Sequence, residues 1–345
     1  MIQLYIKTSC KILMKYALLF LFMVGWQGEI FGQQLPTFTQ YREYHGLLNP
    51  ASVYIDYIRE THATFVGMST RMQWTGVPNA PRTHLLHAER LIRRKASYPK
   101  KSYVQPNLGL YVISDKAGRL STNAIYGKMS VVFSSDPEYV GISVGINAGL
   151  VQYNIKVNEN EDIGYSGFDN SGKIHPDVGI GVYGYRKISD GDAVIFGGFS
   201  IPQFFTNNVK FSDNLQYSKV KHMYGTIGYN QRTSSGGFVE SSLWLKKVEG
   251  LGMVLDGNTR YQFGSVFWIG GGYSTAGVLN AESGVLLNFF EKGNRMQANN
   301  RLKIGLGFET AISGLNVFGN SYELNLSYSF GRTSTKNPTR RYNRK

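Results

Sequence analysis

Tyr322-Glu323-Leu324-Asn325-Leu326-Ser327-Tyr328-Ser329-Phe330 alternates without a slip. Tyr322, Leu324, Leu326, Tyr328 and Phe330 fall on one face, and Glu323, Asn325, Ser327 and Ser329 on the other. Side chains of a strand repeat every two residues, so the stretch is a strand, apolar on one side and polar on the other. Its length suits a tilted strand crossing a bilayer, which takes about 9–11 residues. An aromatic-flanked strand ending in Phe is a common way for an outer-membrane barrel to close. One alternating strand is weak evidence, since any half-buried strand alternates. Many such strands behind an export signal decide the reading.

The export signal lies near the N-terminus. Lys11 and Lys15 precede the apolar run from Ala17 to Trp26, which is too short for a spanning helix and suits a secretory h-region. Met14 is an alternative start, and cleavage is expected after Gly32, making residues 1–32 the signal peptide; the competing reading is an N-terminal anchor. Cys10 is the only cysteine and precedes the apolar run, so a lipid-bearing cysteine is not expected and the mature chain carries no thiol or Cys-based metal site. Charged residues make up 17% of the 345-residue chain, against about 25% in a typical soluble domain. With 40 Gly and 14% aromatic residues, the composition suits a sheet-rich protein. No run of 18 apolar residues marks a transmembrane helix.

Residues 33–60 read as an irregular lead-in, followed by fourteen strands near 61–73, 82–92, 106–115, 120–133, 138–151, 177–188, 192–201, 218–231, 236–248, 252–262, 264–274, 278–291, 299–311 and 320–331. Turn chemistry separates them, as in Ser134-Ser135-Asp136-Pro137, Ser189-Asp190-Gly191-Asp192 and Ser234-Ser235-Gly236-Gly237. In Ile304-Gly305-Leu306-Gly307-Phe308 bulky residues alternate with Gly, predicting a wall greasy outside and thin inside. The 192–201 stretch is apolar on both faces and fits that scheme less well. An even strand number suits a bacterial outer-membrane barrel. With a periplasmic start to the first strand, the two longest irregular connections, 152–176 and 202–217, face outward, while most inward-facing turns are short.

The 93–105 connection departs from that rule, being long and inward-facing, and it locates the charge. The formal charge is +14; the signal segment holds Lys7, Lys11, Lys15 and Glu29, leaving +12. Arg93, Arg94, Lys95, Lys100 and Lys101 have no acid among them, nor do Arg332, Lys336, Arg340, Arg341, Arg344 and Lys345 of the tail 332–345, and the two groups supply eleven of those charges. Both fall on the periplasmic side, giving a basic face suited to an acidic protein partner; the alternative is two solvated segments that bind nothing. Nucleic acid is a poor partner for an exported barrel.

The order of motifs resembles the PorP/SprF family of outer-membrane proteins, part of the type IX secretion and gliding apparatus of Bacteroidetes-type bacteria. The resemblance begins with Gln33-Gln34-Leu35-Pro36-Thr37-Phe38-Thr39-Gln40-Tyr41 and Asn49-Pro50-Ala51, then Gln73-Trp74-Thr75-Gly76 and Ala80-Pro81-Arg82-Thr83. It continues through Ile113-Ser114-Asp115-Lys116-Ala117-Gly118, His175-Pro176-Asp177-Val178-Gly179, Phe199-Ser200-Ile201-Pro202-Gln203, Val248-Glu249-Gly250 and Ser313-Gly314-Leu315. Ser114 stands where the family usually has Asn. The motif positions carried over are Asn49, Pro50, Trp74, Gly76, Pro81, Asp115, Lys116 and Gly118. The resemblance implies partners among periplasmic ring and lipoprotein components and a peptidoglycan-linked adaptor, with exported cargo met at the outer loops.

Each motif also has a plainer reading. Trp74 to Thr83 is expected to be a rigid reversal, with Pro78 and Pro81 fixing the backbone, Gly76 turning it and Trp74 in an aromatic girdle, more than a partner site. Asp115-Lys116-Ala117-Gly118 is a tight turn before it is a site. Asn49-Pro50-Ala51 is a turn or cap, since a residue before Pro avoids the helical basin. For the lead-in 33–60 we favour a lumen plug over a free arm, with Tyr41, Tyr44, Tyr54 and Tyr57 against the wall. His84 and His87 face opposite ways on one strand and make a poor metal pair. Ser, His and Asp show no local catalytic pattern, and Gly270-Gly271-Gly272 marks a bend in a strand more than a phosphate cradle. The sequence therefore predicts an all-β, fourteen-stranded transmembrane antiparallel barrel in the outer membrane, 61–331, with no enzyme activity, cofactor or metal, serving secretion or surface attachment of cargo. A passive porin is the alternative, disfavoured because the strands carry few charges and much Gly and Tyr.

Overall fold

The computed structural model describes residues 38–60, 62–92, 103–136, 139–155, 172–188, 192–205, 208–212, 215–250, 252–291, 294–312 and 318–332. Fourteen strands close into one antiparallel ring. In chain order these are β1 His62–Met72, β2 Arg82–Leu91, β3 Tyr103–Ala117, β4 Leu120–Asp136, β5 Val140–Ile155, β6 Lys173–Ile188 and β7 Ala193–Gln203. After a hairpin, β8 Asn208–Ser212 and β9 Leu215–Ser218, come β10 His222–Arg232, β11 Phe238–Val248, β12 Met253–Phe263, β13 Phe267–Ser274, β14 Val278–Glu291, β15 Asn294–Ala311 and β16 Ser321–Arg332. Neighbours in sequence are neighbours in the ring, except that β7 pairs with β10 past the hairpin. The last strand closes on the first, from His62 opposite Arg332 to Met72 opposite Tyr322. Closure leaves no sheet edge, which lipid would not tolerate.

Every strand predicted from alternation is present in the ring. The hairpin is a correction, since 202–217 was expected to be irregular and β10 was expected to begin near 218. Val209 and Phe211 are buried while Lys210 is exposed, a two-residue period too short to stand out in the sequence. The closing strand follows its pattern: Tyr322, Leu324 and Leu326 are exposed on the outside, and Glu323, Asn325, Ser327 and Ser329 are buried inside. The same phase puts Met68, Leu86, Leu110, Ile125, Val144, Ile180, Ile227 and Ile269 on the outer surface. His84 points outward and His87 inward.

The ring has two dissimilar rims. One carries the connections 73–81, 118–119, 156–172, 204–221, 249–252, 275–277 and 312–320, and we call it the loop rim. The other carries the start of β1, the end of β16 and the intervening turns, and is the terminus rim. Before β1 the chain forms a 3-10 turn, Tyr41–Tyr44, and two short helices, His45–Leu48 and Ile55–Glu60. This segment, 38–60, lies inside the ring and is termed the strap. Of its described side chains between Phe38 and Ile58, all but Arg42 are buried.

Candidate functional site

The strap touches nearly the full circumference of the wall. Thr39 N–H donates to Glu323 Oε2 at 2.6 Å, and Tyr41 hydroxyl to Asp256 Oδ2 at 2.6 Å. Asn325 Nδ2 donates to the Tyr44 hydroxyl at 2.6 Å, Ser200 Oγ to Leu48 O at 2.7 Å, and Lys128 Nζ to Ser52 O at 3.0 Å. These partners stand on β16, β12, β7 and β4. Isolated helices as short as these are unstable in water. They hold here because the wall satisfies their polar groups and covers their apolar ones.

Glycines on the inner face make room for the strap. Asn49 ends the helix His45–Leu48, donates Nδ2 to Val182 O at 3.0 Å and accepts from Ala51 N–H through Oδ1 at 2.9 Å. A Cβ on Gly181 would lie 2.1 Å from Asn49 Oδ1, one on Gly198 2.7 Å from Nδ2, and one on Gly145 2.4 Å from Pro50 O. Three neighbouring strands thus lack side chains where Asn49 and Pro50 press against them. Gly305 does the same for Gln40, with a would-be Cβ 2.4 Å from Oε1. The thin inner wall expected from the Gly alternation is the wall of this slot.

The lumen is also strongly charged, correcting the expectation that the strands carry few charges. Lys303 Nζ reaches Glu43 Oε1 at 3.2 Å and also pairs with Asp56. Arg42 bridges Asp56 and Glu240. Arg71 pairs with Glu309, Lys128 with Glu89 at 2.7 Å, and Lys246 with Asp256. The inward charges are gathered into pairs and a shared network, so a low overall count hides a dense interior. Burial by itself would raise Glu43 and Asp56, but Lys303 and Arg42 outweigh it and hold both carboxyls below their ordinary values. Burial pushes His45 down to about 4. Its ring meets Trp244 edge-on at 4.9 Å and Phe196 at 5.9 Å, surroundings that favour the neutral imidazole.

Apolar packing divides the strap into two levels. Phe38, Tyr44 and Leu47 join Leu85, Tyr111, Ile113, Tyr126, Val151 and Tyr153 in the loop half, beneath Val209 and Phe211 of the β8–β9 hairpin. Val53, Tyr54, Ile55 and Ile58 join Phe65, Leu91, Val132, Tyr183, Tyr185, Val194 and Phe196 in the terminus half. This explains why 192–201 is apolar on both faces: Ile195 and Phe199 face outward, while Val194 and Phe196 cover the strap. The hairpin is fastened at its exit, where Lys219 Nζ meets Asp177 Oδ2 at 2.6 Å and Tyr126 hydroxyl donates to the same oxygen at 2.9 Å. A cavity of about 30 Å³ remains between Thr39, Arg42 and His45 of the strap and Glu240, Asn258, Arg260 and Glu282 of the wall. It has room for roughly two waters.

The remaining predicted positions cluster on the loop rim. Trp74 and Asn79 take positive φ, 54° and 57°, so these residues make the reversal that had been assigned to Gly76. Gly76 instead lets two loops touch: its N–H donates to Phe318 O at 3.1 Å, and a Cβ on Gly319 would lie 2.6 Å from its nitrogen. Trp74 rests near Phe318, 5.7 Å between centroids, and Pro81 O accepts from Gln73 N–H at 2.9 Å. Asp115 and Lys116 lie in β3 rather than in the turn; Asp115 accepts from Thr83 Oγ1, Lys116 is exposed, and Gly118, at φ 61°, turns the chain. Arg332 ends β16, while Arg93, Arg94, Lys95, Lys100, Lys101, Lys336, Arg340, Arg341, Arg344 and Lys345 lie outside the described residues, as do the signal segment and 33–37. Tyr57 falls in the strap, but its side chain is not among those described.

No sequence pattern marks Arg42, Glu43, Asp56, Glu240 and Lys303 as a group. The available signal was an acid or base in a lead-in expected to be a plug, matched by lone charges at inward strand positions.

Among solved structures, the chain is similar to the β domain of the Bordetella autotransporter BrkA, at 12% identity and TM-score 0.42, covering 79% of this chain and 99% of that one. It is also similar to a Pseudomonas aeruginosa FadL homologue, at 9% identity and TM-score 0.47, covering 83% and 93%. The P. putida toluene transporter TodX gives 10% identity and TM-score 0.41, covering 85% and 94%. No curated protein matches the chain in sequence. The family model described as type IX secretion system membrane protein PorP/SprF matches residues 30–328. With its apolar outer surface and closed ring, the molecule is an outer-membrane β-barrel, and the chain belongs to the PorP/SprF family of type IX secretion system membrane proteins.

Proposed function

We propose that this barrel works as a closed, non-enzymatic fixture of the secretion machinery, supporting secretion or surface attachment of cargo proteins without conducting solutes itself. The observation that carries this reading is the strap. It crosses the lumen on paired charges and buried rings, touching most of the wall's strands. A porin needs an open constriction with solvated charges, whereas the inner charges here are largely spent on one another. In this reading the loop rim faces the exterior and meets cargo. The terminus rim faces the periplasm and meets other machinery, with a ring or lipoprotein component or a peptidoglycan-linked adaptor as the family's partner classes.

The basic segments fit that arrangement. β2 ends at Leu91, β3 begins at Tyr103 and β16 ends at Arg332; only β1 lies between β2 and β16, so the strand ends that flank both segments stand close together on one rim. Eleven positive charges concentrated there would attract an acidic periplasmic surface. Crosslinked capture of the native membrane complex tests the reading. The full chain is expected to recover machinery components with a yield that falls as salt is raised, and a chain lacking 332–345 should recover fewer, with a shallower loss as salt is raised. Undiminished capture by the truncated chain would remove the tail from the proposal. Hydrolysis abolished by changing a single Ser or His would overturn its non-enzymatic part.

A further inference from the structure

A barrel whose first strand starts at the periplasmic rim is usually pictured with both chain ends on that side. The strap runs the other way. Its early residues contact wall residues near the loop rim: Thr39 meets Glu323, two residues from the loop end of β16, and Glu309, two from the loop end of β15. Arg71, one residue from the loop end of β1, donates to Thr39 Oγ1 at 2.9 Å. Phe38 lies in the loop-half cluster beneath the hairpin. The late residues contact the opposite end: Tyr54 stacks on Phe65 at 4.3 Å, near the start of β1, and Ile58 shares a cluster with Leu91, the last residue of β2. The strap therefore descends from the loop rim to the terminus rim before β1 ascends.

We infer that the chain enters the lumen from the loop rim, so that the segment leading into Phe38 and the end of the last strand at Arg332 lie on opposite sides of the membrane. Chain reach supports it. With cleavage after Gly32, only residues 33–37 precede Phe38, and five residues span at most about 18 Å. From Arg71 back to His62 along β1 is nine residues, about 30 Å of strand, or about 23 Å along the axis at a tilt near 40°. Five residues cannot cover that distance even in an empty lumen, and the strap occupies part of this one. Naming the loop rim the cell exterior rests on the sidedness given under the proposed function; the opposition of the two ends does not.

Cysteine labelling separates the two claims, because Cys10 precedes the cleavage site and the mature chain has no other thiol. Single variants Q34C, T75C on the loop rim and S235C in the β10–β11 turn on the terminus rim would be treated with a membrane-impermeant maleimide on intact cells and after permeabilisation. Heat-modifiable gel mobility would verify that each barrel has folded. The inference expects Q34C to label under the same condition as T75C and the opposite condition to S235C. Q34C labelling together with S235C, or from neither side while T75C labels, overturns it. If T75C and Q34C both label only after permeabilisation, the inference stands and the assigned sidedness falls.

Discussion

The outer surface and the lumen are made of the same strands and obey different rules. Outside, Leu324, Leu326, Ile180 and Ile269 face lipid, which solvates any apolar side chain about equally well. Inside, Glu43, Asp56, Lys303 and Arg42 each require a particular partner, and Gly181 requires the absence of a side chain. The outer surface holds the barrel in place by chemical class. The lumen holds the strap by residue identity. The family's Asn49-Pro50 motif belongs to the second kind, fitted into a slot of glycines on three strands.

The contrast is broken most forcefully at Lys303. Lys303→Ala leaves Glu43 buried without its nearest cation and takes one of two from Asp56. Removing one partner of a buried ion pair costs about 3–5 kcal/mol. The urea midpoint of heat-modifiable unfolding should fall accordingly, and a loss below about 1 kcal/mol would mean the strap does not depend on this contact.

Acid should act on the same region. His45 is held near 4 against an ordinary 6.5, so the state with the strap released binds the extra proton more readily. Stability is then full above pH 6.5 and falls as pH drops towards 4, by up to about 3 kcal/mol. Below 4 the depressed Glu43 and Asp56 add their own loss as they take up protons. Protease accessibility of the strap against pH reads this out, and His45→Phe should flatten the decline between 6.5 and 4.

A smaller effect is expected from Gly181→Ala, whose methyl would meet Asn49 Oδ1. Overpacking of this kind costs about 1–3 kcal/mol. Asn49→Ala in the same chain should relieve part of it, whereas independent effects would simply add. The smallest belongs to the outer surface: Leu324→Val should change stability by less than about 0.5 kcal/mol, because lipid accepts either side chain. A large loss there would erase the distinction between the two regions.

The same distinction explains what could be read in advance. Strand number, order and the phase of β16 follow from a two-residue period, a local property visible in any nine residues. The hairpin does not stand out in the sequence because Val209 and Phe211 give only one repeat of that period. The partners of the strap were illegible for a different reason. Glu43 and Lys303 are 260 residues apart, and no spacing rule links an acid in a lead-in to a lone Lys on a distant strand. The loop-rim motif was half legible. Its Pro and Gly announced a reversal, but the positive φ fell on Trp74 and Asn79 because Gly76 was needed where two loops touch.

Single-channel recording of the purified barrel in planar bilayers tests the closed lumen most directly. The intact chain should pass no steady current, and a chain with residues 38–60 replaced by a flexible Gly-Ser segment should open a pore. A large, steady conductance through the intact barrel would contradict the account.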